Sequence, residues 1–224
     1  YTKYVPTTTL ETGKEYMIGA ASGSDVYVLM NYNPDADTSS YSVTNYYASY
    51  QMNEYSFGIK AIVDGEGAIT GLDTSAYPNA VAKNAEWLFY DSDTAGYYQI
   101  RSAYNRNYHL RIANYTNYYG LYPQDGQSYS YMWQWDASAG TLSYNFKNTL
   151  KYVTFVPSVG SYSNMFYAPN TASAVRLYKK TSGVVMNEDV TYYTVTFKDY
   201  DGAVLKVQQV AEGLAAEAPA DPVR

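Results

Sequence analysis

The 224-residue chain contains no cysteine and a single histidine, His109. Without cysteine, disulfides and thiolate catalysis are excluded, and so is a zinc site of the usual Cys and His composition. Charged residues make up only 16% of the chain, and the net charge is −6. Nucleic acids and anionic membrane surfaces attract basic proteins, so we expect neither as a partner.

The sequence also lacks long apolar segments and long helical periods. No run of about 18 apolar residues occurs, so no membrane insertion is predicted. Short apolar runs instead alternate with turns rich in Gly, Asn, Asp and Ser, which is typical of strands. We therefore predict an all-β chain. It starts at Tyr1 without a signal-like segment, and we expect it to be part of a longer protein.

Tyrosine is the residue present in excess. The chain has 30 Tyr, against 6 Phe and 3 Trp. Tyrosine fits a half-buried strand, but its hydroxyl needs a hydrogen-bond partner, so this many cannot all lie in a core. A large share must lie at the surface, where tyrosine offers rigid, amphipathic contact area.

Two stretches of the chain share a spacing. Gly96 precedes Tyr108 by 12 positions (108 − 96), and Gly140 precedes Tyr152 by 12 positions (152 − 140). A hairpin predicted over 14–30 is a looser third copy. Three hairpin-bearing units suggest threefold pseudo-symmetry. The repeat assigns four residues of the second unit to the core: Trp87, Ile100, Tyr108 and Leu110.

Outside the repeat, the pattern predicts fewer elements. Residues 1–12 are polar and threonine-rich, and no strand is predicted there. Phe57–Val63 is predicted as a strand, and a closing strand is predicted over 174–178. Residues 179–183 are expected to be a linker. The alternation after Asp189, with an Asp-Gly pair at 201–202, predicts a C-terminal hairpin.

Residues 13–180 resemble a β-trefoil of the ricin-B-lectin kind. The resemblance rests on Trp87-Leu88-Phe89, Gly96-Tyr97-Tyr98-Gln99-Ile100 and Tyr108-His109-Leu110, and again on Trp133-Gln134-Trp135, Gly140 and Tyr152. The Gln-x-Trp motif of those lectins is absent and the first unit lacks its Trp, so no sugar-site residue is carried over. The resemblance implies a β-trefoil-like binding domain over residues 1–183.

The tail resembles the Listeria–Bacteroides repeat, also called the internalin B-type repeat. The matching residues are Tyr193 to Phe197, Asp201-Gly202, Leu205, Val210, Gly213, Ala218-Pro219 and Asp221-Pro222. The resemblance implies a partial β-grasp-type module over 184–224. It also implies an extracellular protein, secreted or attached to the surface of a Gram-positive-type or gut bacterium.

No catalytic motif is present, so we predict that the chain is not an enzyme and needs no cofactor or metal. His109 and Arg111 share one face of a predicted strand, and His109 is expected at the surface. The acidic turn with Asp64, Glu66 and Asp73 leaves Ca²⁺ binding open, although an EF-hand spacing is absent.

The predicted ligand-binding residues lie in tyrosine- and amide-rich loops. Tyrosine rings stack on sugar C–H faces, and Asn or Arg side chains hydrogen-bond to hydroxyls. The segments concerned are 104–107 and 114–119 in the second unit and the excursion over 31–50. The candidates are Tyr32, Tyr46, Tyr47, Tyr104, Asn105, Arg106, Tyr115, Asn117, Tyr118 and Tyr119.

Three functions follow as hypotheses. The first is a non-catalytic, lectin-like carbohydrate-binding module, whose partner would be a glycan or host glycoprotein. The second is a host-protein-binding adhesin, such as an immunoglobulin-binding superantigen of gut commensals, because tyrosine and arginine are frequent protein hot spots. The third is a spacer without a ligand. We expect the isolated chain to be a monomer.

Overall fold

The computed structural model describes residues 2–31, 55–104, 106, 108–115, 118–125, 133–146, 148–160, 162–182 and 191–219. These residues form strands and one 3₁₀ helix, at Ala82–Ala85, so the all-β prediction is confirmed. The chain divides into two compact units, Thr2–Ser182 and Gly183–Arg224. Each is described by itself.

Fifteen strands lie in the described part of the first unit. They are β1 (Thr2–Thr7), β2 (Lys14–Ser22), β3 (Asp25–Leu29), β4 (Tyr55–Val63), β5 (Ile69–Leu72), β6 (Trp87–Asp91), β7 (Tyr98–Ser102), β8 (Tyr108–Tyr115), β9 (Tyr118–Asp125), β10 (Trp133–Asp136), β11 (Thr141–Phe146), β12 (Thr149–Tyr152), β13 (Thr154–Val159), β14 (Tyr162–Tyr167) and β15 (Arg176–Ser182).

Six of these strands close into a barrel. Strands β2, β3, β4 and β5 pair in sequence order as antiparallel neighbours. β5 then meets β1 at a single position, Ile69 opposite Tyr4. β1 pairs with β15, and β15 returns to β2, so the ring has no free edge.

The closing pair corrects two expectations. Residues 2–7 form a strand, although their polar, threonine-rich sequence gave no alternation of apolar residues. Residues 179–182, expected to be a linker, continue β15 and pair with β1. Both segments are held by backbone hydrogen bonds to each other, which is a long-range contact that local composition does not predict.

Strand β2 is buried on both faces because a core lies on each side of it. Met17 points into the barrel, in a cluster to which every barrel strand contributes: Tyr4, Val28, Ile59, Ile69 and Tyr178 are members. Tyr16 and Ile18 point the other way, into a second cluster with Trp87, Phe89, Ile100, Leu110, Trp133, Leu142 and Tyr144. Five consecutive residues, 16–20, are therefore buried, whereas a strand with one buried face would bury only every second residue.

The second core is covered by strands that extend from the barrel. β6 pairs with β2, and β7, β8 and β9 follow in order. A branch of β10, β11 and β12 joins at β7, and β13 and β14 join at β4. Trp87, Ile100 and Leu110 are buried as predicted, at 0%, 0% and 1% exposure. Tyr108 lies in β8, but its side chain is outside the described part.

The hairpins β6–β7 and β10–β11 share two features. Each begins with a fully buried tryptophan whose indole N–H donates to a strand carbonyl. Trp87 donates to the Leu29 carbonyl at 3.0 Å, and Trp133 donates to the Leu110 carbonyl at 2.7 Å. Their turns contain Gly96 and Gly140, which have positive φ angles of 81° and 64°. A side chain would be strained at these angles, which accounts for the repeated glycine.

The second unit contains an antiparallel pair, β16 (Tyr192–Lys198) and β17 (Val204–Ala211). The C-terminal hairpin predicted from its alternation is therefore present. At its turn the Asp199 amide donates to the Ala203 carbonyl at 2.7 Å. Both faces of the pair carry exposed apolar residues, including Val204, Val207 and Tyr193.

Two glycines of the barrel provide a matched test of its packing. A Cβ on Gly58 in β4 would lie 2.6 Å from the Asn164 carbonyl oxygen and 3.0 Å from the Phe166 ring. A Cβ on Gly71 in β5 would meet only the Ile62 Cδ1 atom, at 3.6 Å. We expect Gly58→Ala to lower the free energy of unfolding by about 1–3 kcal/mol, because β4 would be pushed away from β14.

The control is Gly71→Ala, which we expect to be neutral or to stabilise by up to about 1 kcal/mol, because alanine restricts the unfolded chain. Urea denaturation of both variants measures the difference. Equal stability of the two variants would contradict the close packing of β4 on β14.

Candidate functional site

The acidic segment around Asp64 has the backbone hydrogen bonds of an ordinary turn. The Asp64 carboxylate accepts hydrogen bonds from the backbone amides of Ala68, at 2.9 Å, and Glu66, at 3.0 Å. These hydrogen bonds hold the pKa of the Asp64 carboxyl below its usual range, and the bond from the Ala68 amide has the largest effect. Asp73 likewise accepts from Ser75 at 3.0 Å. Within the described ranges no group of three or more His, Asp or Glu side chains is placed to hold a metal ion.

A buried carboxylate lies at the closing seam of the barrel. Glu86, which precedes β6, is 1% exposed. Its Oε1 atom accepts a hydrogen bond from the Tyr4 hydroxyl and lies 3.0 Å from the Lys180 ammonium. Lys180 also contacts Glu15 at 2.7 Å. These groups belong to β1, β2, β15 and the residue that precedes β6. The cluster therefore joins four segments of the fold, and this structural role accounts for the buried charge.

The polar surface of the second repeat unit is set by strand register. Tyr90 lies opposite Gln99, and Arg101 lies opposite His109. Directly paired residues share a face, and so do residues two apart, so these four side chains lie on one side of β6, β7 and β8. The opposite side carries Trp87, Phe89 and Ile100 into the core. We call Tyr90, Gln99, Arg101 and His109 the unit-two polar face.

Contacts within this face form a continuous network. The Arg101 guanidinium carbon lies 5.1 Å above the centroid of the Tyr90 ring, a cation–π contact. Arg101 Nε donates to Gln99 Oε1 at 2.7 Å. The Gln99 amide nitrogen lies 3.4 Å from both ring nitrogens of His109. Gln99 and His109 are buried, whereas Tyr90 and Arg101 are half-exposed, so the network runs from a buried floor to the surface.

The position of His109 differs from the expectation. It was expected at the surface, but its exposure is only 8%. The reason is that β8 lies between β7 and β9, and the face that carries His109 also carries Gln99. A polar face of a strand can thus be buried when its groups contact one another, and alternation alone does not distinguish this case from an exposed face.

Two of the predicted site residues lie just after β7, the strand that carries Gln99 and Arg101. Tyr104 is 51% exposed, and its backbone amide donates to the Ser102 hydroxyl at 3.2 Å. Arg106 is exposed, and its carbonyl oxygen lies 3.5 Å from Arg101 Nη1. The structure brings the Arg106 backbone against Arg101, a residue that the sequence did not single out. Tyr104 follows the end of β7 by two positions.

The other predicted residues are placed less completely. Tyr115 lies opposite Tyr118 in the β8–β9 hairpin, and Tyr119 lies opposite Asn114, so these are strand positions where a loop was predicted. Their side chains are outside the described part. Five candidates lie outside the described residues altogether: Tyr32, Tyr46, Tyr47, Asn105 and Asn117.

A second feature, missed in the sequence, is an open groove of about 530 Å³ along β3, β4 and β5. Ala61 faces the barrel core, so its neighbours Lys60 and Ile62 face outward into this groove. Asp25 contacts the Lys60 ammonium at 2.9 Å, and this hydrogen bond raises the pKa of Lys60. The lining residues, all within the described ranges, include no aromatic ring. The unit-two polar face is therefore the better candidate for stacking on a sugar.

Comparison with known proteins found no match among protein-family models, curated proteins or solved structures. No helix in the described part of the chain is long and apolar enough to cross a membrane. The functional argument therefore depends on the chemistry of the unit-two polar face.

The buried carboxylate gives a prediction for stability. In Lys180→Met, Glu86 would keep its burial but lose its cation. We expect the free energy of unfolding at neutral pH to fall by about 3–5 kcal/mol, the usual loss when a buried ion pair is broken on one side. Urea denaturation measures it.

The matched control is Lys60→Met, which breaks the exposed pair with Asp25. There we expect a loss below about 1 kcal/mol, because water solvates both partners. Similar losses in the two variants would show that Glu86 does not depend on Lys180.

The Tyr4 hydroxyl gives a prediction for alkaline pH. Burial, then the hydrogen bond to Glu86, raises the pKa of Tyr4 above its ordinary value of 10.0. Its contribution is complete below that value and is lost as pH rises above it, because the unfolded chain releases the proton first. We expect the stability of Tyr4→Phe to depend less steeply on pH between about 8 and 11 than that of the parent chain.

Urea denaturation across this range measures the slopes. Tyr200→Phe serves as the control, because Tyr200 is 91% exposed and its removal should leave the parent slope unchanged. A slope for Tyr4→Phe equal to that of the parent would contradict the role given to the buried hydroxyl.

Proposed function

We propose that the chain is a non-catalytic carbohydrate-binding module of a secreted or wall-attached bacterial protein. The observation that carries the proposal is the unit-two polar face, with Tyr104 and Arg106 exposed just after β7. There Tyr90 lies against the Arg101 guanidinium, and the Arg106 backbone contacts Arg101.

The chemistry of this surface suits a saccharide. Sugar rings present C–H faces that pack on aromatic rings, and hydroxyls that need hydrogen-bond partners. Tyr104 supplies exposed ring area, and Arg101 supplies donors whose direction is fixed by Gln99 and Tyr90. A guanidinium held in this way loses less conformational entropy on binding than a freely rotating one.

We also propose that the first unit is β-trefoil-like. Support comes from the matching hairpins, in which Trp87 and Trp133 each donate an indole hydrogen bond to a strand carbonyl and each turn contains a glycine with positive φ. For the second unit we propose a partial internalin B-type repeat, supported by its hairpin and by the residues that resemble that repeat. This resemblance also motivates an extracellular location.

A host-protein-binding adhesin remains the alternative. This hypothesis was motivated by the tyrosines of the excursion over 31–50. Residues 32–50 lie outside the described residues. Pull-down from serum or mucosal secretions distinguishes the two functions. Capture of an immunoglobulin that survives glycosidase treatment would favour the adhesin over the glycan-binding module.

Replacement of Tyr104 tests the proposal. On a glycan array that includes mucin and plant polysaccharides, we expect the full chain to bind and Tyr104→Ala to lose about tenfold or more in affinity, because one stacking ring is removed. The matched control is Tyr200→Ala, which removes a tyrosine ring that is more exposed (91%, against 51% for Tyr104) from the second unit and should bind as the parent does.

Three results would count against the proposal. The full chain could bind no glycan, as a spacer would. Tyr104→Ala could bind as well as the parent, which would remove the unit-two polar face from the site. Both tyrosine variants could lose affinity equally, which would indicate that exposed tyrosines bind glycans without a specific site.

A further inference from the structure

The unit-two polar face lies in a basic segment of an acidic chain. Between Asp93 and Asp125 the sequence has no Asp, Glu or Lys, but it holds Arg101, Arg106 and Arg111 and the single histidine. With histidine neutral, this segment has a net charge of +3, whereas the whole chain has −6. The remaining residues therefore sum to −9 (−6 − 3), so the charge is segregated along the chain.

Five lysines elsewhere in the described part have carboxylate partners. Lys3, Lys60, Lys179, Lys180 and Lys206 each contact an Asp or Glu within 4.0 Å. Among the residues that the structure describes, no carboxylate lies within that distance of Arg101 or Arg106. Their positive charges are therefore not neutralised by the described residues around them.

The contacts of Arg101 hold its guanidinium in place without neutralising it. Its Nε donates to Gln99, its plane lies over the Tyr90 ring, and Nη1 lies 3.5 Å from the Arg106 carbonyl oxygen. All three partners are electrically neutral groups. A guanidinium presents donors in a planar fork that fits the oxygens of a carboxylate or sulfate, and such charge-assisted bonds are about twice as strong as neutral ones.

We propose that the unit-two polar face binds an acidic glycan, with the anionic group of the sugar bound by Arg101 and Arg106 and a sugar ring packed on Tyr104. This inference depends on the proposed carbohydrate binding and narrows it to glycans that carry a carboxylate or a sulfate ester. The chemistry required is an anionic oxygen group attached to a ring with an apolar C–H face.

The experiment uses the full chain and two pairs of polymers that differ only in charge. Polygalacturonate is compared with its methyl ester, and dextran sulfate is compared with dextran, by titration calorimetry. We expect the chain to bind at least one charged polymer and neither neutral form. Binding of one pair alone identifies the anionic group as carboxylate or sulfate, and affinity should fall as salt is raised.

Binding at a specific site is distinguished from general charge attraction by three substitutions: Arg106→Gln, Arg101→Gln and Arg176→Gln. We expect each of the first two to lower affinity for the charged polymer by about tenfold or more, the loss of one charge-assisted contact. Arg176→Gln removes the same charge from an exposed position on β15 and should leave affinity unchanged. Arg106 lies in an exposed turn, so its variant keeps the test valid if Arg101→Gln is unstable.

The outcomes separate the two proposals. If a neutral glycan binds and Arg106→Gln has no effect on it, carbohydrate binding stands and the acidic specificity is wrong. If Arg176→Gln weakens binding as much as Arg106→Gln, the attraction is diffuse and the inference is also wrong. If no polymer binds here and no glycan binds on the array, both proposals fail.

Discussion

Six pairs of opposed residues, from Thr2 opposite Ser182 to Thr7 opposite Leu177, join the first strand of the barrel to the last. The opposite side of β1 meets β5 at one position only, so the β1–β15 pairing provides most of the closure. Everything else in the first unit depends on this ring. The barrel encloses one core, and its outer face supplies β2 as the base on which the second core and the unit-two polar face are built.

The same seam holds the one carboxylate that is buried in the described part of the unit, Glu86. A buried carboxylate is unfavourable unless it is paired and hydrogen-bonded, and Glu86 obtains both from Lys180 and Tyr4. Both partners lie on the closing strands. The cluster is thus favourable only when β1, β15 and the start of β6 are all in place, and it favours the closed barrel over an open sheet. Hydrophobic burial drives the strands to associate, but it is non-directional and therefore selects less strongly which strand closes the ring.

The sequence predicts the local hairpins well and the closure poorly. The hairpins around Gly23, Gly96 and Gly202 follow from alternation and turn chemistry, which are encoded within a few residues. The pairing of Thr2 with Ser182 depends on residues 180 positions apart, and neither segment has an apolar pattern. For the candidate site, Tyr104 and Arg106 were predicted because loops rich in such residues are recognisable. Arg101, Gln99 and Tyr90 were not, because only the register of three strands shows that they share a face.

The closing pair also decides how the unit responds to a pulling force. Because β1 and β15 are antiparallel, the chain enters at Thr2 and leaves at Ser182 side by side, at the same end of the pair. Tension applied through the two ends would act on one backbone bond at a time, in an unzipping geometry, and would not load all the bonds of the pair together. The seam that completes the barrel would therefore be the first part to open, with the second core still assembled behind it.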